Sequence, residues 1–300
     1  MKIVLGTANF FQKYGISKKK INTKEIKKIF NFLKKNKIEY IDTANTYRLL
    51  KNINSKSIFK KIKVITKIKL PKKNQRLFIE SIDKILKLDL DKFNQNKFES
   101  ILLHNVNDIK SKNGQLFLKK FLDLKKKGLT KFLGVSIYEI KDFNFVIKKF
   151  KPDIVQFPAN IFDQRFLEKN FLLRLKKNKI KSQVRSIFLQ GLILNDEKSK
   201  VILKKYKQHV YLKNLDNLCK KYNINRKEAC LFFIKKQKKI NFLTIGIENL
   251  KQLKQNLAIL KNNKLLNFKN LSIKNKNITS SSGKSNHVCP FMNISKFFSK

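Results

Sequence analysis

The stretch Glu39-Tyr40-Ile41-Asp42-Thr43-Ala44-Asn45-Thr46-Tyr47 ends a short apolar run in a carboxylate and places a phenol five residues later. Two later runs finish in the same manner. Val64-Ile65-Thr66 stops at Lys67, and Ile101-Leu102-Leu103 stops at His104. An Asp, a Tyr, a Lys and a His form a proton-handling set if folding gathers them. A free phenol, with a pKa near ~10, is a poor acid at neutral pH unless a nearby cation lowers it. On this reading Lys67 acidifies Tyr47, and Asp42 keeps Lys67 charged and oriented. His104 then donates a hydrogen bond to a substrate oxygen on which negative charge develops. Singly, each residue has an ordinary explanation: a turn carboxylate, a rim aromatic, one lysine among many, a satisfied core histidine. Neighbouring parallel strands would bring all four to one end of a barrel, and that convergence favours chemistry.

The elements that must position these residues alternate along the chain. Strands are expected at 2–5, 38–42, 62–67, 100–103, 131–135, 153–157, 181–187 and 241–246. Helices are expected at 24–35 with Thr23 as N-cap, 75–88 after Pro71, 114–126 closed by Gly128, 139–149, 164–177, near 226–237 and at 249–262. A weaker helical pattern touches 49–60, and a lysine-rich helix falls within 188–240. Eight strands in strict alternation with about eight helices is the pattern of an α/β fold, a (β/α)8 TIM barrel. A doubly wound sheet would also alternate, but no Gly-x-Gly-x-x-Gly follows an early strand. The barrel is expected to span residues 1–268. Beyond it, 269–300 reads as a C-terminal extension that is partly flexible, Asn/Ser/Lys-rich at first and more apolar after His287.

Charge is the most conspicuous feature of the composition. Seventy Lys and Arg face twenty Asp and Glu, a formal net charge of +50, and only six of the seventy are Arg. Nucleic-acid grips favour Arg and collect charge on one face, whereas Lys is spread along this chain. Lys, Asn, Ile and Phe share A/T-rich codons, so a base-composition bias explains their joint abundance. No specific nucleic-acid partner is therefore expected. A charge-driven anionic surface would need binding that survives moderate salt. No apolar run reaches the ~18 residues of a membrane span. The N-terminus is too short and too soon broken by glycine for a signal peptide. Cys219, Cys230 and Cys289 lack metal-type spacing, so no metal is expected, and a reducing cytoplasm suits them.

Around the four residues the chain resembles the aldo-keto reductase family, over nearly all of 1–268. The resemblance implies hydride transfer from NADPH or NADH to a small carbonyl substrate, an aldehyde or ketone. Asp42, Tyr47, Lys67 and His104 map onto the family's catalytic tetrad, with Tyr47 as general acid. It also implies cofactor contacts. Gly6 and Thr7 follow the first strand, and Ser136 lies in Gly134-Val135-Ser136. Gln156 lies in Val-Gln-Phe-Pro-Ala-Asn, a match that Asn160 and Gln164-Arg165 extend. Ser186, Leu189 and Gly191 lie in the seventh-strand segment that passes the pyrophosphate. Gly246, Asn249, Gln252 and Asn256 lie where the last strand turns into a helix whose N-terminus suits an anion.

The departures are specific. Ile137 replaces the usual Asn after the Ser, and Arg185 stands where an aromatic often stacks on the nicotinamide. Arg48 and a lysine-rich run replace the common residues past Tyr47. Glu248, Asn249 and Gln252 occupy positions where many members carry basic residues for a 2′-phosphate. A Glu there favours NADH, and the positive field favours NADPH. The alternative function is a catalytically weak or inactive dinucleotide-binding regulator on the same barrel. Oligomeric state is unreadable from the sequence.

Overall fold

A computed structural model describes residues 1–47, 49, 56–205, 209–262, 266, 268 and 271. Eight parallel strands close into a barrel in sequence order: β1 (Lys2–Gly6), β2 (Tyr40–Asp42), β3 (Lys63–Ile68), β4 (Phe98–Leu103), β5 (Thr130–Ser136), β6 (Ile154–Pro158), β7 (Lys181–Arg185) and β8 (Phe242–Ile245). Pairing runs Gly6↔Asp42, Asp42↔Ile65, Lys67↔Leu102, Leu102↔Gly134, Ser136↔Gln156 and Pro158↔Arg185, and β8 returns to β1 through Val4↔Thr244. Side chains alternate along a strand, so every second position points into the barrel. Close approach of β5 to β6 is fixed at Gly134, where a Cβ would collide with the Ile154 carbonyl.

The described helices are α1 (Thr23–Lys35), α2 (Gln75–Phe93), α3 (Gly114–Lys126), α4 (Ile140–Ile147), α5 (Lys169–Lys177), α6 (Asp196–Lys205), α7 (His209–Tyr222), α8 (Arg226–Lys235) and α9 (Leu250–Lys261). Several differ from the sequence expectation for local reasons. Asn22, not Thr23, caps α1, accepting a hydrogen bond from the Glu25 N–H; its amide oxygen reaches the third helical N–H. α2 runs on to Phe93 because Leu90 and Phe93 continue the buried face past Leu86, and Asn94 ends it in the left-handed region at φ 53°. The segment expected as one helix over 164–177 splits into a short 3-10 turn, Arg165–Leu167, and α5. β7 stops at Arg185 because Ser186 adopts φ 62°, which leaves the extended region. The expected helical piece within 49–60 appears as a 3-10 turn at Lys56–Phe59; residues 48 and 50–55 lie outside the described set.

Two cores result. Inside the barrel Val4, Tyr40, Ile65, Leu102, Ile154 and Phe242 form a plug with Phe132 against it. Outside, the strands pack on the helices through a much larger cluster rich in phenylalanine. Phe10, Phe30, Phe59, Phe93 and Phe98 contact one another in series, edge to face, at centroid separations of 6.4, 5.1, 4.8 and 6.3 Å. Near the C-terminus Phe268 packs on Phe233 at 5.4 Å, and Leu271 is buried; the rest of 269–300 lies outside the described residues. No described helix is long and apolar enough to cross a membrane. Because the plug fills the barrel's N-terminal half, inward-facing side chains one layer higher open onto the C-terminal mouth.

Candidate active site

That layer is polar and organised on Asp42. The carboxylate pairs with the Lys67 ammonium through Oδ1, and both residues are almost fully buried, 5% and 2% exposed. Its Oδ2 accepts from Gln156 Nε2 at 2.6 Å and from Gln183 Nε2 at 3.1 Å. Gln183 Nε2 also donates to Thr244 Oγ1 at 2.8 Å. The Asp42 carbonyl accepts from the Thr7 N–H and from Thr7 Oγ1 at 3.0 and 2.9 Å. Two ions taken from water need hydrogen bonds beyond their own attraction, and here two glutamine amides supply them to the carboxylate. Burial pulls the Lys67 pKa down, and the charge and hydrogen bond of Asp42 oppose that shift.

Tyr47 and His104 stand over this pair. Lys67 Nζ lies 5.6 Å from the Tyr47 ring centroid, and the Tyr47 and His104 rings meet edge to face at 6.2 Å. Strand ends deliver Asp42, Lys67 and His104 (whose N–H bonds to the Ile68 carbonyl), and the turn after β2 delivers Tyr47. The four residues read from the sequence as one constellation therefore do converge. Their electrostatics differ from the expectation. The Tyr47 pKa lies well above the usual phenol value, raised first by burial and then by Tyr14, Asp42 and Tyr138, with Arg185 opposing. Desolvation outweighs the help of nearby cations, so the phenol holds its proton firmly. Burial, aided by Lys67, Arg185 and Lys69, pushes His104 down to about 3. The imidazole is thus neutral near pH 7. Its Nδ1 is buried and has no hydrogen-bond partner among the described residues.

The residues expected at a cofactor fall into two groups. Ser136 and Gln156 meet beside the carboxylate, Ser136 Oγ donating to Gln156 Oε1 at 3.3 Å. Gln156 thus links the expected nicotinamide pair to the Asp42 hub. The second group follows β7 and β8. Ser186, Leu189, Gln190 and Gly191 take positive φ of 62°, 48°, 57° and 90°, forming a tight, irregular turn. The β1–α1 loop closes on that turn: the Ile16 N–H donates to the Gln190 carbonyl at 3.0 Å, and a Cβ on Gly15 would lie 2.8 Å from the same oxygen. Gly6 ends β1 against Thr244, where a Cβ would touch Cγ2 at 3.3 Å. Gly246 has open space at its Cβ position.

At α9, Asn249 is the N-cap, accepting from the Gln252 N–H at 2.8 Å, and Gln252 Oε1 accepts from the Glu248 N–H at 2.9 Å. The Leu250 N–H is taken by the Glu25 carboxylate at 2.7 Å. This N-terminus, expected to receive a phosphate, is therefore already in contact with one carboxylate and adjacent to a second, Glu248. Lys19 pairs with Glu248 at 3.5 Å. Asn256 is buried, and its Oδ1 has no hydrogen-bond partner among the described residues; the same holds for Gln190 Oε1. A ligand rich in hydroxyls and amides offers donors to such orphaned acceptors. The residues present fit a nicotinamide dinucleotide.

Sequence reading missed four contributors. Gln183 and Thr244 share a strand face with Arg185 and Gly246, two positions on, so the period of two would have placed them inside. Tyr14 and Tyr138 come from loops, where no periodicity points inward. Arg185 crosses the mouth from β7 toward the end of β5. Its Nη2 donates to the Ile137 carbonyl at 3.3 Å, and its Cζ lies 4.3 Å over the Tyr138 ring.

Comparison with known proteins agrees with this geometry. A search of curated proteins gives no match. Among solved structures, the chain resembles an aldo-keto reductase from Bacillus halodurans in its holo form at 14% identity and TM-score 0.66, covering 88% of each chain. It resembles a glycerol dehydrogenase from Gluconobacter oxydans at 16% identity and TM-score 0.64, covering 88% of this chain and 87% of that one. An aldo-keto reductase of the silkworm, Bombyx mori, matches at 15% identity and TM-score 0.60, with coverage of 86% and 78%. At such identities the structures speak for the fold. The model of the aldo/keto reductase family matches residues 2–274, and the chain belongs to that family of nicotinamide-dependent oxidoreductases.

Proposed function

We propose that this protein reduces an aldehyde or ketone to an alcohol with NADH or NADPH, using Tyr47 as general acid. The observation that carries the reading is the buried Asp42–Lys67 pair with the Tyr47 ring over its ammonium and His104 across from it. When bound, the nicotinamide cofactor supplies the hydride. The chain's own residues handle the proton. The phenol, held protonated by burial, gives up its proton only when the carbonyl oxygen gains negative charge and becomes the stronger base. A neutral His104 directs a hydrogen bond at that oxygen without competing for the proton. Lys67, held charged by Asp42, stabilises the phenolate left behind. Ser136 and Gln156 would hold the nicotinamide end, Gly6 and Thr7 the floor beside it, Ser186, Leu189 and Gly191 the pyrophosphate, and Gly246, Asn249, Gln252 and Asn256 the adenosine end. The carboxylates of Glu25 and Glu248 at the start of α9 support NADH over NADPH, since either would repel a 2′-phosphate.

The test is Tyr47→Phe. This variant should bind the dinucleotide with unchanged affinity and lose aldehyde reduction by ~10² or more. Unchanged turnover would remove Tyr47 from the mechanism. A second reading, a dinucleotide-binding regulator, draws support from Arg185, which lies across the mouth where the family often places an aromatic. Tight dinucleotide binding with no oxidation across a panel of aldehydes would favour it.

A further inference from the structure

Proton transfer at Tyr47 needs Lys67 as an ammonium, and burial works against that form. If a proton passed from Lys67 Nζ to Asp42 Oδ1, an N–H bond would break and an O–H bond would form. The two ions would become a neutral amine and a neutral acid, with no charge left to bury. Donors aimed at the other carboxylate oxygen oppose the transfer, because hydrogen bonds to a carboxylate favour its charged form. Oδ2 has two, from Gln156 at 2.6 Å and from Gln183 at 3.1 Å. These glutamines are register partners on β6 and β7, but they are not equivalent. Gln156 also holds Ser136, in the group read as the nicotinamide end, so its amide is shared once a dinucleotide is bound. Gln183 is fully buried, two residues before Arg185 on the inward face of β7, and is outside that group. Its two Nε2 hydrogens go to Asp42 and, at 2.8 Å, to Thr244 Oγ1. Its own Oε1 is buried and has no hydrogen-bond partner among the described residues. A carboxylate can only accept, so the amide must turn its NH2 toward Asp42 and leave that oxygen orphaned. An unsatisfied buried acceptor is costly, and an apolar side chain of the same length would avoid it.

We propose that Gln183 is a positioning residue for the reduction: oriented by Thr244, it holds the Asp42–Lys67 pair in its ionic form, above all when Gln156 is engaged elsewhere. The inference rests on the reductase reading and adds to it a residue that acts through Asp42 alone. Thr244 Oγ1 takes one Nε2 hydrogen and thereby points the other at Oδ2. An ammonium kept in this way stabilises the Tyr47 phenolate as its proton leaves, and a neutral amine would not.

Two variants test the proposal: Gln183→Met, which keeps the length and removes the donor, and the milder Thr244→Val. The probes are 4-nitrobenzaldehyde with NADH and with NADPH at pH 7. Gln183→Met should lose about 10- to 100-fold in kcat, the worth of a hydrogen bond to a charged group. KM and dinucleotide affinity should stay within about threefold of wild type. Thr244→Val should lose less, and should add nothing to the loss already present in Gln183→Met. An unchanged kcat, or a loss carried by KM or by dinucleotide affinity, overturns the proposal. A thermal arm needs neither cofactor nor turnover. Gln183→Met should lower the wild-type Tm by about 3–12 °C. It should not lower the Tm of Asp42→Leu/Lys67→Met, where no carboxylate remains to be held. Equal losses in both backgrounds would mean a packing role alone and overturn the proposal. If the wild type reduces no aldehyde with either dinucleotide, the reductase reading falls, while unequal thermal losses still support the hold of Gln183 on the ion pair.

Discussion

Replacing Asp42 with Asn should cost more stability than any surface change, and the structure indicates how much. The carboxylate neutralises a lysine that is 2% exposed and accepts two glutamine N–H groups at 2.6 and 3.1 Å. An asparagine keeps one acceptor, loses the charge and turns an NH2 group toward donors. Leaving a buried ammonium without its partner costs about 3–5 kcal/mol. At about 2–4 °C per kcal/mol, Tm should fall by roughly 6–20 °C. Lys67→Met should cost less, because Gln156 and Gln183 still solvate the remaining carboxylate. The Asp42→Asn/Lys67→Met double variant should be more stable than Asp42→Asn alone, since no unpaired ion is left in the barrel. Thermal and urea unfolding of the three variants at pH 7 and at pH 9 provide the assay. The Asp42→Asn penalty should shrink at the higher pH, where the stranded ammonium can shed its proton. Simple additivity of the two single effects would refute the picture of a coupled buried pair.

Two further outcomes follow from the electrostatics. His104 has its pKa depressed from 6.5 to about 3 by burial, so between those values the unfolded chain binds a proton that the folded chain refuses. Stability from this residue is therefore present above pH 6.5 and lost as pH falls toward 3; urea midpoints from pH 7 to pH 4 should fall less steeply in His104→Gln, and an unchanged slope would contradict the assignment. Glu248→Arg should raise the NADPH-to-NADH affinity ratio by about tenfold or more, by removing one carboxylate from the start of α9 and adding a phosphate partner. A ratio that does not move would place the ribose elsewhere.

The fold is legible because most strands carry their own signal: a short β-branched or aliphatic run, then an ionisable, polar or glycine residue at the mouth. Asp42, Lys67 and His104 were legible for the same reason, and Tyr47 through its spacing from Asp42. What escaped was geometry that only closure creates. Gln183 is as far as 141 residues from Asp42 in sequence, and nothing local announces their contact. The same holds for Glu25, whose carboxylate reaches the start of α9 across 225 residues and opposes the phosphate expected there. The acidity of Tyr47 was misjudged because spacing reveals which cations are near but not how completely water is excluded.

The run of five phenylalanines from Phe10 to Phe98 has a consequence for how such a biased sequence specifies one structure. The chain contains no tryptophan, and its aliphatic supply leans on isoleucine and leucine, so little chemical variety is available to distinguish one compact arrangement from another. Aromatic rings compensate because their quadrupoles make contact directional: an edge against a face is favoured over two faces in register. Each ring in the series sets the tilt of the next, and the tilts propagate from the first loop across α1 and α2 to the fourth strand. A genome drifting toward A/T can thus lose much of its alphabet and still encode a unique interior, provided phenylalanine remains within reach of its codons.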